Sequence, residues 1–172
     1  MPAGAAERSD PVNSLYVVAT WVPRCTTIVV GALGPVHFER AWYAYVGSAA
    51  RARDARVARH LRARRSLRWH ADYLFAAHPA TQAWLVDTVL TECEVAEQVG
   101  RALAPPGAAT DGRPDRCPDG CAALPAVAAR PAAGFGASDC GCAGHLLSLG
   151  RRPSTQVLLA AMPHALITCF SA

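Results

Sequence analysis

Between residues 15 and 65 the apolar pattern changes period once, from short β-type runs to one long stretch of helix formers, and that change sets the fold class. Residues 15–22, Leu-Tyr-Val-Val-Ala-Thr-Trp-Val, are rich in β-branched and aromatic side chains. Pro23-Arg24-Cys25 makes a turn and residues 26–30 are β-branched again, which reads as two antiparallel strands. Gly31 and Gly34-Pro35 punctuate the next turn, and Trp42-Tyr43-Ala44-Tyr45-Val46 reads as a third strand stopping at Gly47-Ser48. Residues 49–65 hold neither Gly nor Pro and are dominated by Ala and Arg, so they read as a helix with Ser48 as N-cap. Within it Val57 and Leu61 form an i,i+4 pair facing the sheet, and Arg56 and His60 form a second pair on a neighbouring stripe. Arg59, Arg62 and Arg65 then point largely to solvent.

Residues 69–76 read as a short helix closed by His78-Pro79, with Tyr73 and Leu74 as its core contacts. Residues 82–90 read as a strand, with a helix as the competing assignment. Thr91 and Glu94 have capping-box spacing, which favours the strand and starts a new helix at Glu92 that runs to about Leu103. Its inner stripe is Cys93, Ala96, Val99, Gly100 and Leu103. Residues 104–133, rich in Pro, Gly, Ala and Asp, read as a long loop or insertion, and order returns near Gly134-Phe135-Gly136. The expected architecture is α+β over residues 13–150, a small central antiparallel sheet, mainly three-stranded, flanked by helices. A disordered leader over 1–12 precedes it, and a tail over 151–172 follows.

At 172 residues the chain has room for one domain with a sizeable core. With 52% hydrophobic and 17% charged residues it is too apolar for a disordered chain. All 17 basic residues are arginines, and eight of them (51, 53, 56, 59, 62, 64, 65 and 68) crowd into 18 residues with Asp54 as the one acid. That segment carries +7 within a chain whose total is +4, so one cationic element sits on a slightly acidic body, as a phosphate-binding face requires. A genome rich in G and C would favour Arg over Lys without clustering it. Residues 1–10 contain Glu7 and Asp10 and no apolar run, unlike a signal peptide, and no stretch has the length of a membrane span. The expected compartment is the cytoplasm, where seven cysteines imply reduced thiols or a metal site and not a disulfide framework.

Tyr16 in a first strand, Tyr45-Val46-Gly47 ending a later one, Arg56 on the following helix and Glu92 opening a further helix together resemble the GIY-YIG nuclease superfamily. Five segments resemble, more narrowly, a branch long listed as a domain of unknown function and sometimes fused to endonuclease III-like proteins. They are residues 43–49, Arg59-His60-Leu61-Arg62, residues 69–74, Glu92-Cys93-Glu94, and residues 134–140, and the resemblance spans about 14–149. It implies a nucleic-acid endonuclease that hydrolyses phosphodiesters with a divalent metal, in DNA repair or processing.

The resemblance also implies roles. Tyr16 and Tyr45 match the two family tyrosines, one of which would orient or deprotonate the attacking water. An ordinary tyrosine titrates near ~10, so a base role needs Arg56 or a metal nearby to lower it. Glu92 matches the metal-binding carboxylate, suited to Mg²⁺ or Mn²⁺. Arg56 would grip the scissile phosphate and His60 would bond it or shuttle a proton. Arg59, Arg62, Arg64 and Arg65 would hold backbone phosphates and His70 would touch nucleic acid, DNA ahead of RNA. A DNA-repair protein is the implied partner. The chain departs from the family pattern at Ser14-Leu15-Tyr16 and at Val46, and the asparagine that many active members of the superfamily place after the metal helix has no counterpart, since Asn13 is the one asparagine.

Each residue also has a plainer reading: strand tyrosines pack, a first-turn glutamate answers the helix dipole, and arginines and histidines are solvated. A rival of another class is a non-catalytic DNA- or RNA-binding accessory module that uses the arginine-rich helix. Finally, Cys140-x-Cys142-x2-His145 offers ligand types suited to Zn²⁺, with Cys93 or the pair Cys117 and Cys121 to complete four. The alternative is that these cysteines pack as small apolar groups.

Overall fold

The computed structural model describes residues 12–62, 66–104, 130–138 and 140–171. The leader, Arg64, Arg65, most of the proposed insertion, Cys117 and Cys121 lie outside the described residues. In chain order the elements are β1 (Asn13–Val22), β2 (Thr26–Val29), a 3₁₀ turn (Gly31–Leu33), β3 (Pro35–Phe38), β4 (Ala41–Ser48), α1 (Arg53–Leu61), α2 (His70–Ala77), β5 (Ala80–Thr88), α3 (Glu92–Leu103), β6 (Leu146–Leu149), α4 (Thr155–Ala161) and β7 (Leu166–Ser171).

The class is α+β. A five-stranded sheet runs β6-β4-β1-β5-β7, antiparallel at every pairing, with β1 at its centre. Successive side chains of a strand face opposite sides, and β1 is apolar at nearly every position because both of its faces are covered. Tyr16 and Val18 pack with Val57 of α1 and with Leu74 and Phe75 of α2. Leu15, Val17 and Ala19 pack on the other side with Val95, Val99 and Leu103 of α3 and Leu158 of α4. Among the described residues no helix is long and apolar enough to cross a membrane.

The sheet is wider than the expected three strands, and the hairpin expected from residues 15–30 does not form. Both edges of β1 are taken by β4 and β5, so β2 pairs instead with β3 in a separate two-stranded sheet. Residues 151–171, expected as a tail, supply α4 and β7. Ser154 caps α4, Trp84 Nε1 donates to Thr155 Oγ1 at 2.9 Å, and β7 pairs along β5 from Gln82 to Asp87.

Helix α1 is shorter at both ends than expected. Ser48 is not its N-cap: it is the last residue of β4, and the Ala49 N–H extends the ladder by donating to Ser14 O at 3.1 Å. The chain then turns through Ala52 in the left-handed region (φ 55°) and becomes helical at Arg53; Arg62 is already extended. By contrast α3 has the expected bounds, with Thr91 and Glu94 capping each other reciprocally.

Candidate functional site

One end of β1 and β4 forms a cleft of about 240 Å³. Its floor is Tyr16 and Tyr45, whose even and odd positions fall on the same face because the register sets Tyr16 opposite Gly47 and Val18 opposite Tyr45. The ring centroids are 6.3 Å apart. A Cβ on Gly47 would sit 2.3 Å from Tyr16 Cζ, so only glycine leaves room for that ring. Gly136, at φ +73°, likewise clears Tyr45, whose Cε2 is 2.6 Å from where its Cβ would be. Arg56 of α1, Arg68, Trp69 and His70 before and at the start of α2, and Glu92 of α3 make the walls.

Four of the five residues expected to do chemistry therefore converge: Tyr16, Tyr45, Arg56 and Glu92. His60 sits behind the floor at 1% exposure, with Nε2 3.3 Å from the Tyr16 hydroxyl. It does not line the cleft, so its reach to a ligand runs through Tyr16. Arg56 donates to the Ser48 carbonyl at 2.7 Å and lies over the Trp69 ring, which fixes its long side chain. His70 also lines the cleft, where its Nδ1 accepts the Gly136 N–H.

The wider arginine expectation is corrected at Arg59. Its guanidinium pairs with Asp72 Oδ2 at 2.5 Å and covers the Trp69 ring at 4.0 Å, because Asp72 is fully buried at the start of α2 and needs a cation. Arg59 is thus a structural cation and not a solvated one. Arg53 similarly pairs with Asp87. Arg62 is exposed as expected.

Burial decides the protonation of the floor. It pushes Tyr16 up to about 12 although Arg56 pulls the other way, so the expected lowering is present and outweighed. Burial also holds His60 down to about 4, with Asp72 opposing and Arg56 assisting. His60 is therefore neutral in the folded state and ordinary, near ~6.5, in the unfolded one. A depressed folded value gives stability that is complete above pH ~6.5 and is lost as pH falls toward the folded value. We expect wild type to lose about 2–3 kcal/mol more than His60→Gln between pH 7 and pH 4, read from urea unfolding at each pH. Parallel profiles would show that His60 is not the titrating group.

Behind the Glu92 wall lies a second group. Cys93 Sγ, Cys140 Sγ, Cys142 Sγ and a nitrogen of His145 all fall within 4.8 Å of one another, an arrangement that could hold a metal ion. His145 Nε2 is 3.5, 3.5 and 3.1 Å from the three sulfurs in that order. Cys140 is 3.6 Å from Cys93 and 3.1 Å from Cys142. Cys93, on the first turn of α3, completes four ligands among the described residues. Burial and the neighbouring Cys142 and Cys140 push Cys93 up to about 12. Cys142 is also raised by burial, but hydrogen bonds from Cys140, the Gly144 N–H and Cys93, with the charge of Arg130, bring it below the usual thiol value. Burial would lower His145, but Glu92 and Cys140 carry it above its usual value. Cys93, Cys140, Cys142 and Cys169 are free thiols, whereas Cys25 is disulfide-bonded, which the expectation of reduced thiols or a metal site did not include.

A family model described as a domain of unknown function, DUF123, matches residues 15–117, more than half of the chain. The chain belongs to the DUF123 family. No curated protein and no solved structure matches it. The DUF123 match runs from β1 through α3, so Tyr16, Tyr45, Arg56, Glu92 and Cys93 fall within it, and Cys140, Cys142 and His145 beyond it.

Sequence reasoning left three groups without a clear part. Trp69 opens one of the segments that carry the resemblance, but its place between two guanidiniums was not read from the sequence. Asp72, which flanks Ala71 together with His70, reads in the sequence as a nucleic-acid contact or as helix-end packing; the structure buries it against Arg59 and the Arg68 and Trp69 N–H groups. Gly47, read as the stop of the third strand, lies inside β4, where its missing side chain makes room for the Tyr16 ring.

Proposed function

We propose that this protein is a nucleic-acid-binding endonuclease of the GIY-YIG kind, which hydrolyses phosphodiesters with a divalent metal in the cleft. One observation carries the reading: Tyr16, Tyr45, Arg56 and Glu92, scattered over 77 residues of sequence, line a single cleft. Arg56 and Arg68 supply the positive charge that a phosphate needs, and Arg56 arrives already oriented by Ser48 and Trp69. Tyr16 remains a phenol at neutral pH and orients the attacking water through its hydroxyl. When it takes the water's proton, its own can pass to Nε2 of neutral His60, and the buried Asp72 carboxylate, 3.9 Å from His60 Nδ1, favours the resulting imidazolium. Glu92 is the one carboxylate among the cleft residues described, a donor set that fits Mg²⁺ or Mn²⁺ held by one carboxylate and its own waters. Such an ion would stabilise charge developing on the phosphate oxygens.

Three thiols and one imidazole fit a different ion. Soft sulfur donors in a closed four-ligand set select Zn²⁺, in a structural role, over the oxygen-seeking Mg²⁺. DNA as substrate, a repair protein as partner and a cytoplasmic setting belong to the same reading.

The second reading is a module that grips nucleic acid without cleaving it. Burial favours it, because it keeps the Tyr16 phenol protonated at neutral pH, so the phenolate that would serve as base is scarce. The test is cleavage of labelled single-stranded, duplex, flap and abasic DNA and matching RNA, with Mg²⁺, Mn²⁺ or chelator. We expect metal-dependent cleavage that falls at least ~100-fold in Glu92→Ala and in Arg56→Met. Tight, salt-sensitive binding with no cleavage would establish the second reading and remove the first.

A further inference from the structure

Glu92 belongs to both halves of the site. Its carboxylate lines the cleft, and its Oε1 lies 2.7 Å from the buried Nδ1 of His145, the ring whose other nitrogen faces the three sulfurs. A histidine that ligates a metal through one nitrogen characteristically gives its second N–H to a carboxylate, which fixes tautomer and ring orientation. His145 itself cannot drift. Its backbone N–H donates to Phe135 O at 2.8 Å and its backbone carbonyl accepts the Val46 N–H at 2.9 Å, one residue from Tyr45. Glu92 and Cys93 are neighbours on the first turn of α3, which the Thr91–Glu94 box holds in place.

We infer that Glu92 is the positioning carboxylate of a Zn²⁺ centre formed by Cys93, Cys140, Cys142 and His145, so that this ion sets the orientation of the carboxylate the cleft uses. The inference rests on the zinc reading above and adds the coupling. The centre ties the start of α3, which carries Glu92, to the loop before β6, whose Gly136 and Ser138 also line the cleft, and through the Val46 N–H to β4, which carries Tyr45 of its floor. A tetrahedral ion with ~2.3 Å bonds spaces its sulfurs about 3.8 Å apart. The Cys93–Cys140 spacing of 3.6 Å is close to this, and the Cys140–Cys142 spacing of 3.1 Å needs only a modest opening. One oxygen of Glu92 lies against His145 Nδ1 as a close ion-pair contact that is not aligned as a hydrogen bond, and the bound ion would draw the ring into line with it.

The test needs no nuclease assay. Zinc content and zinc affinity, by competition with a chromophoric chelator, are compared for wild type, Glu92→Gln and Glu97→Gln, a control on the exposed face of the same helix. Each protein is also loaded with Co²⁺ and its visible spectrum recorded. We expect one zinc per wild-type chain, affinity lower by about 10–100-fold in Glu92→Gln, no change in Glu97→Gln, and shifted Co²⁺ bands only in Glu92→Gln. Glu92→Gln keeps the side-chain shape, and circular dichroism of the zinc-free proteins checks that it folds. Wild-type zinc with equal affinity in Glu92→Gln would overturn the coupling and leave the zinc reading standing. A wild type that binds no zinc would overturn both.

Discussion

Replacing Cys140 with serine lowers the thermal midpoint of the zinc-loaded protein by about 8–16 °C. The figure follows from mass action: an ion that binds only the folded chain, at a free concentration about a thousandfold above Kd, adds about 4 kcal/mol. For a chain of this length each kcal/mol is worth roughly 2–4 °C. Cys140 is the ligand to remove because its sulfur touches those of Cys93 and Cys142 and the His145 nitrogen. Scanning calorimetry with and without a strong chelator reads the result. Chelator should bring wild type down to the variant's midpoint and leave Cys140→Ser unmoved. A wild type indifferent to chelator would mean that the four groups hold no metal.

Asp72→Ala costs about 3–5 kcal/mol, measured by urea unfolding at neutral pH. Asp72 is fully buried and its Oδ2 accepts from Arg59 Nη2 at 2.5 Å, from the Arg68 N–H at 2.9 Å and from the Trp69 N–H at 3.1 Å. Truncation leaves those donors without their acceptor and frees the lead-in to α2, which carries the Arg68–Trp69 wall of the cleft. It also removes the anion that raises His60, so His60 becomes harder to protonate in the variant. A cost below about 1 kcal/mol would show that solvent replaces the carboxylate, contrary to its burial. Arg59→Ala is also destabilising, because the buried Asp72 carboxylate keeps its backbone donors but loses its cation.

The site was legible where a short-range signal marked it. Tyr16 and Tyr45 sit in strands whose composition announced them, and Glu92 opens a helix flagged by Thr91 and Glu94 three positions apart. The cluster at Cys140, Cys142 and His145 was legible as ligand types at ligand spacing. Its fourth member was legible only as one of two options, Cys93 or the pair Cys117 and Cys121, because Cys93 lies 47 residues from Cys140 and the packing of α3 against the β4–β6 edge is what brings them together. Arg59 and His60 were read as solvated or ligand-facing from the helix wheel alone. That wheel gives the face of a residue but not what stands against it, here Asp72 and Tyr16.

The sequence by itself determined the α+β class, the strands β1, β4 and β5, and the helix α3 with both its ends. These follow from β-branched runs, Gly and Pro punctuation and reciprocal capping, all of which act within a few residues. Tertiary structure alone decided that β2 turns to β3, because both edges of β1 were occupied, and that residues 151–171 complete the sheet through β7. It alone set His60 behind Tyr16, gave Arg59 to Asp72, and joined Glu92 to His145 across 53 residues. Burial and the pairing of charges depend on which surfaces meet, and a chain states that only when it is folded.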